Sequence, residues 1–443
     1  MTAEQPPSDP APAEEDLTPE QRAARTRGYV GVLLLAAGIG VPVSLVAFGF
    51  LALLHALEHA VWETWPATFG HEVAPWWWAL PWLLLGGVLV GVAVRWLPGH
   101  GGHVPIDGLG IDPVPARFVP GILLAALGGL PLGVVLGPEA PLLALGSAVA
   151  LLLVRPVAAS GAPGAGALIT VAGAAAALAA IFGSPLVAAI FVLEAAGLAG
   201  PRLARVVLPC LLSAGIGSLV FTGMGTWTGL QIPSLALPDL AGPDRPDLGD
   251  VLWTVPFAVA TAFAVRQVHH LGRWTARRAA DRPLSAAVGA ALVVGGCAGA
   301  YALLTGRSPE EVALSGQGLL EPLAADPGAW SAPVLVALLA FKSIGYGVSL
   351  GALRGGAIFP AVLLGAAAGV LVSGLPGYGV IPAMAAGMAA ATAAILPYPV
   401  ASAVLVVVLL GSNAAAMTPV VLLAVVVAFV SEQIIATERR RPV

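Results

Sequence analysis

The chain has 443 residues, of which 58% are hydrophobic and 10% charged, with a formal net charge of −4. Soluble domains carry about 25% charged residues, so a water-soluble fold could not hide this much apolar surface and the bilayer must act as the solvent. The charge balance gives no reason to expect a nucleic-acid partner, and the 2 cysteines, Cys210 and Cys297, lie in apolar runs as small core residues rather than as a disulfide or metal framework.

Residues 1–28 are polar, rich in Pro, Ala and acid, and end in QRAARTRG. They lack the short apolar region and cleavage site of a signal peptide and read as a disordered cytoplasmic tail. Apolar runs then begin near 29, 76, 118, 142, 165, 185, 204, 251, 284, 332, 357, 378, 399 and 418. Some reach the roughly 20 residues that cross a bilayer, whereas 142–154 and 399–411 are too short. Short helices broken by Gly and Pro at membrane depth line a cavity or a site, and 55 Gly and 39 Pro suit such helices. The expected organisation is a transmembrane transport domain over 29–436, in halves of roughly 29–225 and 251–436, with a cytoplasmic tail over 437–443. Arginines before the first span, the basic loop 266–282 and the final RRR place both termini in the cytoplasm of a multi-pass cell-membrane protein, with the acidic loop 231–250 outside. The tryptophans of PWWWALPW (75–82) read as an interfacial belt.

Self-comparison finds two matches. GPEAPLLALG (137–146) and GAIFPAVLLG (356–365) share the frame G-x-x-x-P-x-x-x-x-G at an offset of 356 − 137 = 219. AAIFGSPLVAAIFVL (179–193) matches AAILPYPVASAVLVV (393–407) at an offset of 393 − 179 = 214. Two ordered matches predict a chain of two related halves with its site at their interface. The fold class expected is all-α: a polytopic membrane protein with two inverted-topology repeats and short broken helices at the midplane.

Each G-x-x-x-P segment starts a short helix. The first turn of a helix has N–H groups without intrahelical partners and carries about half a positive charge. Gly allows close approach of the backbone, and Pro in the first turn loses no needed donor. Several such N-termini aimed at one place bind an anion without a full positive charge. Glu139 sits at one of them, in an otherwise apolar segment. Its carboxylate can occupy the anion's place, and protonation or displacement frees it, so Glu139 reads as a gate. A plain helix-capping glutamate is the alternative, but an acid at membrane depth points to function.

Four stretches resemble the CLC family of chloride channels and anion/proton exchangers: GHGGHVP (99–105), GPEAP (137–141), GSPLVAAIFVLEA (183–195) and GGAIFP (355–360). The pairing of GPEAP with RGGAIFPAV is closest to an atypical bacterial branch of ion-transport proteins. The resemblance implies a homodimer with one pore per subunit. It also implies Glu139 as the external gate, and the backbone amides of Ala357 and Ile358 facing the central anion. The anion-binding positions it marks are Gly102, His103, Val104 and Pro105; Gly137, Pro138, Ala140 and Pro141; and Gly356, Ala357, Ile358, Phe359 and Pro360. Gly102 falls where the family has an anion-coordinating serine, so that ligand must be backbone or water. Ala195 falls where proton-coupled members carry an internal glutamate, and Glu194, one place earlier, reads as a carboxylate at a cytoplasmic helix end. The final segment, SEQIIATERRRPV, has no tyrosine for the family's inner pore hydroxyl, and Tyr346 and Tyr398 are not in the matching place. With Pro360 aligned, Phe359 falls one place late against the family's pattern.

Arg354 could concentrate anions at the inner mouth or snorkel at an interface. Lys342 reads as a snorkelling or paired lysine. His103 could titrate near the pore or hydrogen-bond at a helix end. HEVAP (71–75) lacks the second histidine of a zinc-hydrolase motif, and Ser315 has no convincing base, so no catalytic residue, metal site or cofactor is expected. The function expected is transport of a small inorganic anion such as chloride, passive or weakly proton-coupled. The alternatives are a proton-coupled anion antiporter and a cation- or proton-coupled solute carrier. One acid among helix N-termini favours the anion.

Overall fold

The computed structural model describes residues 19–110, 112–158, 165–197, 201–230, 237 and 245–438. Most of the loop 231–250, residues 1–18 and residues 439–443 lie outside the described residues, and with them most of the expected outer loop and tails. The first half contains α1 (Pro19–His59), α2 (Trp65–Thr68), α3 (Ala79–Trp96), α4 (Val119–Leu127), α5 (Glu139–Ala158), α6 (Ala165–Phe182), α7 (Pro185–Ala196) and α8 (Pro201–Thr228). The second contains α9 (Leu248–Asp281), α10 (Pro283–Thr305), α11 (Leu320–Ala325), α12 (Ala332–Ala352), α13 (Ile358–Val372), α14 (Val380–Ile395), α15 (Pro399–Leu409) and α16 (Ala414–Glu438). Among the described residues the regular elements are all helices, and seven of them are long and apolar enough to cross a membrane. The rest of the core is built from shorter apolar helices, among them α5, α7, α13 and α15. This is an all-α polytopic membrane fold.

α1 begins at Pro19, inside the stretch expected to be disordered. Pro in the first turn and the Glu, Gln, Arg and Ala that follow favour helix, which extends the first span back toward the N-terminus.

The two halves obey the sequence offsets. α13 begins 358 − 139 = 219 residues after α5, and α15 begins 399 − 185 = 214 residues after α7. The helix contacts repeat as well. A Cβ at Gly146 would strike the Gly173 backbone on α6, and one at Gly365 would strike the Gly387 backbone on α14. These pairs keep the same spacings, 365 − 146 = 219 and 387 − 173 = 214. In lipid no hydrophobic force drives helices together, so backbone contact at paired small residues supplies the packing. That contact holds α5 and α13, whose first turns form the site.

The aromatic run after Pro75 is split between two roles. Trp76 and Trp77 are exposed, as an interfacial belt requires, whereas Trp78 is buried and donates Nε1–H to the Val61 carbonyl at 2.8 Å.

Lys342 does not snorkel, and the carboxylates of Glu311 and Glu310 act on its charge. It lies fully buried on α12, and its Nζ reaches the carbonyls of Glu311, Val312, Ala313 and Leu314 at 3.0–3.2 Å. An ammonium has only donors to offer, and four acceptors around it replace the water it lost. The last residue of that run is tied inward too: the Leu314 N–H bonds the Gly133 carbonyl at 3.2 Å.

Candidate functional site

Two segments from the two halves meet in the interior. Gly137 and Gly356 form an antiparallel bridge, with Gly137 N–H donating to the Gly356 carbonyl at 2.8 Å and Gly356 N–H to the Gly137 carbonyl at 2.5 Å. These are the first glycines of the two repeated frames, so the repeat axis passes through the site. The bridge places the first turn of α5 beside the first turn of α13.

Glu139 opens α5 and is fully buried. Its Oε1 accepts the Phe359 N–H at 3.0 Å, and the Ile358 amide and its own amide also lie within reach. Oε2 is buried with no hydrogen-bond partner. The carboxylate therefore fills a place lined by the free N–H groups of two helix starts. Gly356 makes that place: a Cβ there would overlap the carboxylate, as would one at Gly137.

The opposite-repeat amides that face Glu139 are those of Ile358, expected from the sequence at the anion site, and Phe359. Ala357 is the N-cap of α13, and helical backbone starts at Ile358, so the free amides begin there. Tyr346, set aside in the sequence, is the neighbour that reasoning missed. From α12 it is buried against this turn and donates its hydroxyl to the Ala357 carbonyl at 2.5 Å. The oxygen and the N–H of a trans peptide point in opposite directions. Holding the Ala357 oxygen thus turns the Ile358 N–H toward Glu139.

Of the predicted site residues, the structure brings together Gly137, Pro138, Glu139, Ala140 and Pro141 with Gly356, Ala357, Ile358, Phe359 and Pro360, all of them buried. The stretch Gly102–Pro105 reaches the site differently. His103 and Pro105 line a narrow cleft with Gly355 and Ala357, whereas Val104 lines a larger neighbouring cleft with Arg95, His100, Asp107 and Arg354. Gly102 lines neither of these clefts. Arg354 is buried rather than snorkelling: its Nε donates to the His100 carbonyl at 3.1 Å and its Nη1 to the Leu353 carbonyl at 3.0 Å. It thereby clamps the 99–105 loop to the α12–α13 turn.

Glu194 has a defined task. Its two oxygens accept the N–H groups of Val400, at 3.0 Å, and Ala401, capping α15. A carboxylate at a helix N-terminus satisfies orphan donors and complements the helix dipole. Beside it runs an aromatic chain, Phe359–Phe182–Phe191–Tyr398, with ring centroids 5.5–6.1 Å apart. It connects the α13 start to the α15 start without a titratable acid between them.

A polytopic helical protein whose two repeats aim helix N-termini at one buried acid belongs to the broken-helix ion-transport class. Residues 98–433 match the family model described as "Voltage gated chloride channel", and the chain belongs to that family, the CLC proteins. It is 29% identical over 366 residues to "Putative ion-transport protein YfeO" of Salmonella schwarzengrund, covering 79% of this chain and 82% of that protein. To the protein of the same name from Escherichia fergusonii it is 28% identical over 358 residues, covering 79% and 80%. Its fold is similar to that of a CLC-type fluoride/proton antiporter, with TM-score 0.67, 18% identity and coverage of 94% and 98%. A slow cyanobacterial Cl−/H+ antiporter gives TM-score 0.71, 17% identity and coverage of 91% and 94%.

Proposed function

We propose that this protein carries a small inorganic anion, chloride or fluoride, across the cell membrane through the site between residues 137–141 and 355–360, with Glu139 as its gate. The observation that carries the reading is the Glu139 carboxylate accepting an amide of the opposite repeat while its second oxygen is buried and unpartnered. An anion seated there would meet the same amides. The charged gate and the anion are rivals for one place, so protonating the gate admits the anion. The basic residues 266–282, expected as a loop but helical in α9 as far as Asp281, face the cytoplasm with both termini in this reading, and residues 29–436 form one transport domain rather than an enzyme.

Movement is passive or weakly coupled to protons. A proton path from the inner side needs a titratable group at intervals. Ala195 cannot titrate, and both oxygens of Glu194 are engaged by the α15 amides. Purified protein in vesicles should therefore pass chloride and fluoride down their gradients. A chloride gradient, with potential clamped and no proton gradient, should move no stoichiometric protons uphill. A fixed anion-to-proton ratio in that assay would establish exchange instead.

The family resemblance further supports a homodimer. Cross-linking in mild detergent should give a two-subunit species, and a transporting monomer would refute it.

A further inference from the structure

Three helices leave an apolar groove open beside the gate helix. Its walls come from α1, α4 and α5, and it encloses about 460 Å³. α4 and the turn before it contribute Ala116, Val119, Pro120, Leu123 and Leu127, residues three and four apart that share one face. α1 contributes Val46, Gly49, Phe50 and Leu53 at the same spacing. α5 answers with Leu145, Ala148, Val149 and Leu152. Phe50, Leu145 and Ala148 form a buried floor, whereas Val46, Leu53 and Leu152 are exposed along the rim. A Cβ at Gly49 would meet nothing, so the hollow reaches this glycine.

The groove suits hydrocarbon and not water. None of the side chains that line it can hydrogen-bond, and a water held in a cavity needs about two to four polar partners. α1 is long and apolar enough to cross the membrane, so its outward face meets lipid tails. α4, at 9 residues, is less than half of the roughly 20 residues of a full crossing. The stripe from Ala116 to Leu127 rises roughly 17 Å at about 1.5 Å per residue, against a hydrocarbon core of roughly 30 Å. It therefore matches the depth of one leaflet, which is the reach of one acyl chain.

The start of the stripe carries a charge. The Phe118 ring lies against Gly99, in the loop whose later residues line an opening with the α9–α10 turn, so this end of the groove is at a membrane face. Arg117 is exposed there, with its guanidinium carbon 5.2 Å from the centre of the Phe118 ring. Among the described residues no carboxylate pairs with it. A guanidinium stacked on a ring keeps its N–H edge free for a phosphate.

We propose that the groove between α1, α4 and α5 binds an anionic phospholipid, with one acyl chain laid along the α4 stripe and the headgroup phosphate on Arg117. The site goes beyond the anion-transport reading and does not rest on it. The acyl chain it holds lies against α5, the helix that begins at Glu139.

The test uses the full chain in vesicles that contain one of two photoactivatable probes, a phosphatidylglycerol and a phosphatidylcholine with the same diazirine-bearing acyl chain. Labelled peptides are counted by mass spectrometry after irradiation. The phosphatidylglycerol probe should label 46–53, 116–127 and 145–152 above the stretch 251–263 of α9, whose Leu252 and Phe263 are exposed. At the groove it should exceed the phosphatidylcholine probe about fivefold, equivalent to about 1 kcal/mol for one arginine at a membrane surface. Gly49→Leu puts a side chain into the hollow and should remove groove labelling while 251–263 stays labelled. Arg117→Gln should keep the acyl chain in place and abolish the preference between the probes. Even labelling of the groove and α9 in the unaltered protein overturns the proposal, whether or not either variant folds. Equal labelling of the groove by the two probes overturns it as well. So does undiminished groove labelling in folded Gly49→Leu, or an undiminished preference in folded Arg117→Gln. Two other occupants would refute it: a second copy of the chain, shown by cross-linking of Leu53→Cys between subunits, or residues 1–18, shown by groove labelling that emerges only once they are removed.

Discussion

Glu139→Gln gives a transporter that is open at neutral pH and almost indifferent to pH on the gate's side. The unaltered protein transports faster as that side is acidified, because protonation removes the charge that holds the carboxylate against the amides. The sign follows from competition. Above the carboxyl's titration range the side chain is anionic, accepts the Phe359 N–H and excludes the substrate anion; below it, the site is free. A hydrogen bond to a charged partner contributes about 1.5–3 kcal/mol net, so releasing it shifts occupancy by roughly ten- to a hundredfold. Flux at neutral pH should rise by up to that factor, because the glutamine amide is uncharged and binds the N–H more weakly. The measurement is initial chloride efflux from vesicles over a range of external pH, for both proteins. If a folded Glu139→Gln protein keeps the original pH profile, Glu139 is not the gate. If it carries no anion at all, the carboxyl is required for each cycle and the passive reading falls.

The place of Glu139 at the start of a repeated helix was legible in the sequence for a physical reason. A repeat places the same turn at the same spacing, and the spacing of 219 residues between the G-x-x-x-P frames is the spacing between the α5 and α13 starts. Ionisable groups are rare in an apolar segment, so Glu139 stood out without knowledge of its neighbours. That the Phe359 amide also reaches Glu139 was not legible. Whether helical backbone begins at Ala357 or Ile358 depends on one pair of dihedral angles, and an Ala-Ile-Phe run favours neither. Tyr346 was missed because its role depends on how the chain turns between α12 and α13, which brings its hydroxyl to a carbonyl 11 residues later. The capping role of Glu194 needed the α15 start, more than 200 residues on, to be placed against α7. In each case the missing partner is a backbone group. Backbone groups are the same at every position, so composition and spacing carry no trace of them.

Lys342→Met destabilises the protein more than any other single change in this region, by about 3–5 kcal/mol. Methionine keeps much of the length and apolar volume of the side chain, so the loss isolates the ammonium. The ammonium is enclosed by four carbonyls from consecutive residues, 311–314, at 3.0–3.2 Å, and α12 holds it there fully out of contact with solvent. Removing it leaves those oxygens turned inward on a cavity with no donor. Arginine does not restore the arrangement. Its planar fork directs donors in one plane, whereas the carbonyls converge on a compact centre. The consequence reaches the gate. The 311–314 loop is tied by Leu314 to Gly133, four residues before the Gly137 that pairs with Gly356. When the loop loosens, the segment leading into Glu139 loses its outer support, and the seat for the carboxylate widens. The expected result for Lys342→Met is therefore a lower midpoint of thermal inactivation in detergent and, in whatever fraction remains folded, a weaker response to pH on the gate's side. Lys342→Arg should be destabilised as well, although it retains the charge. A Lys342→Met protein as heat-stable as the original would show that the carbonyls find other partners, and that the buried ammonium is not what fixes the loop.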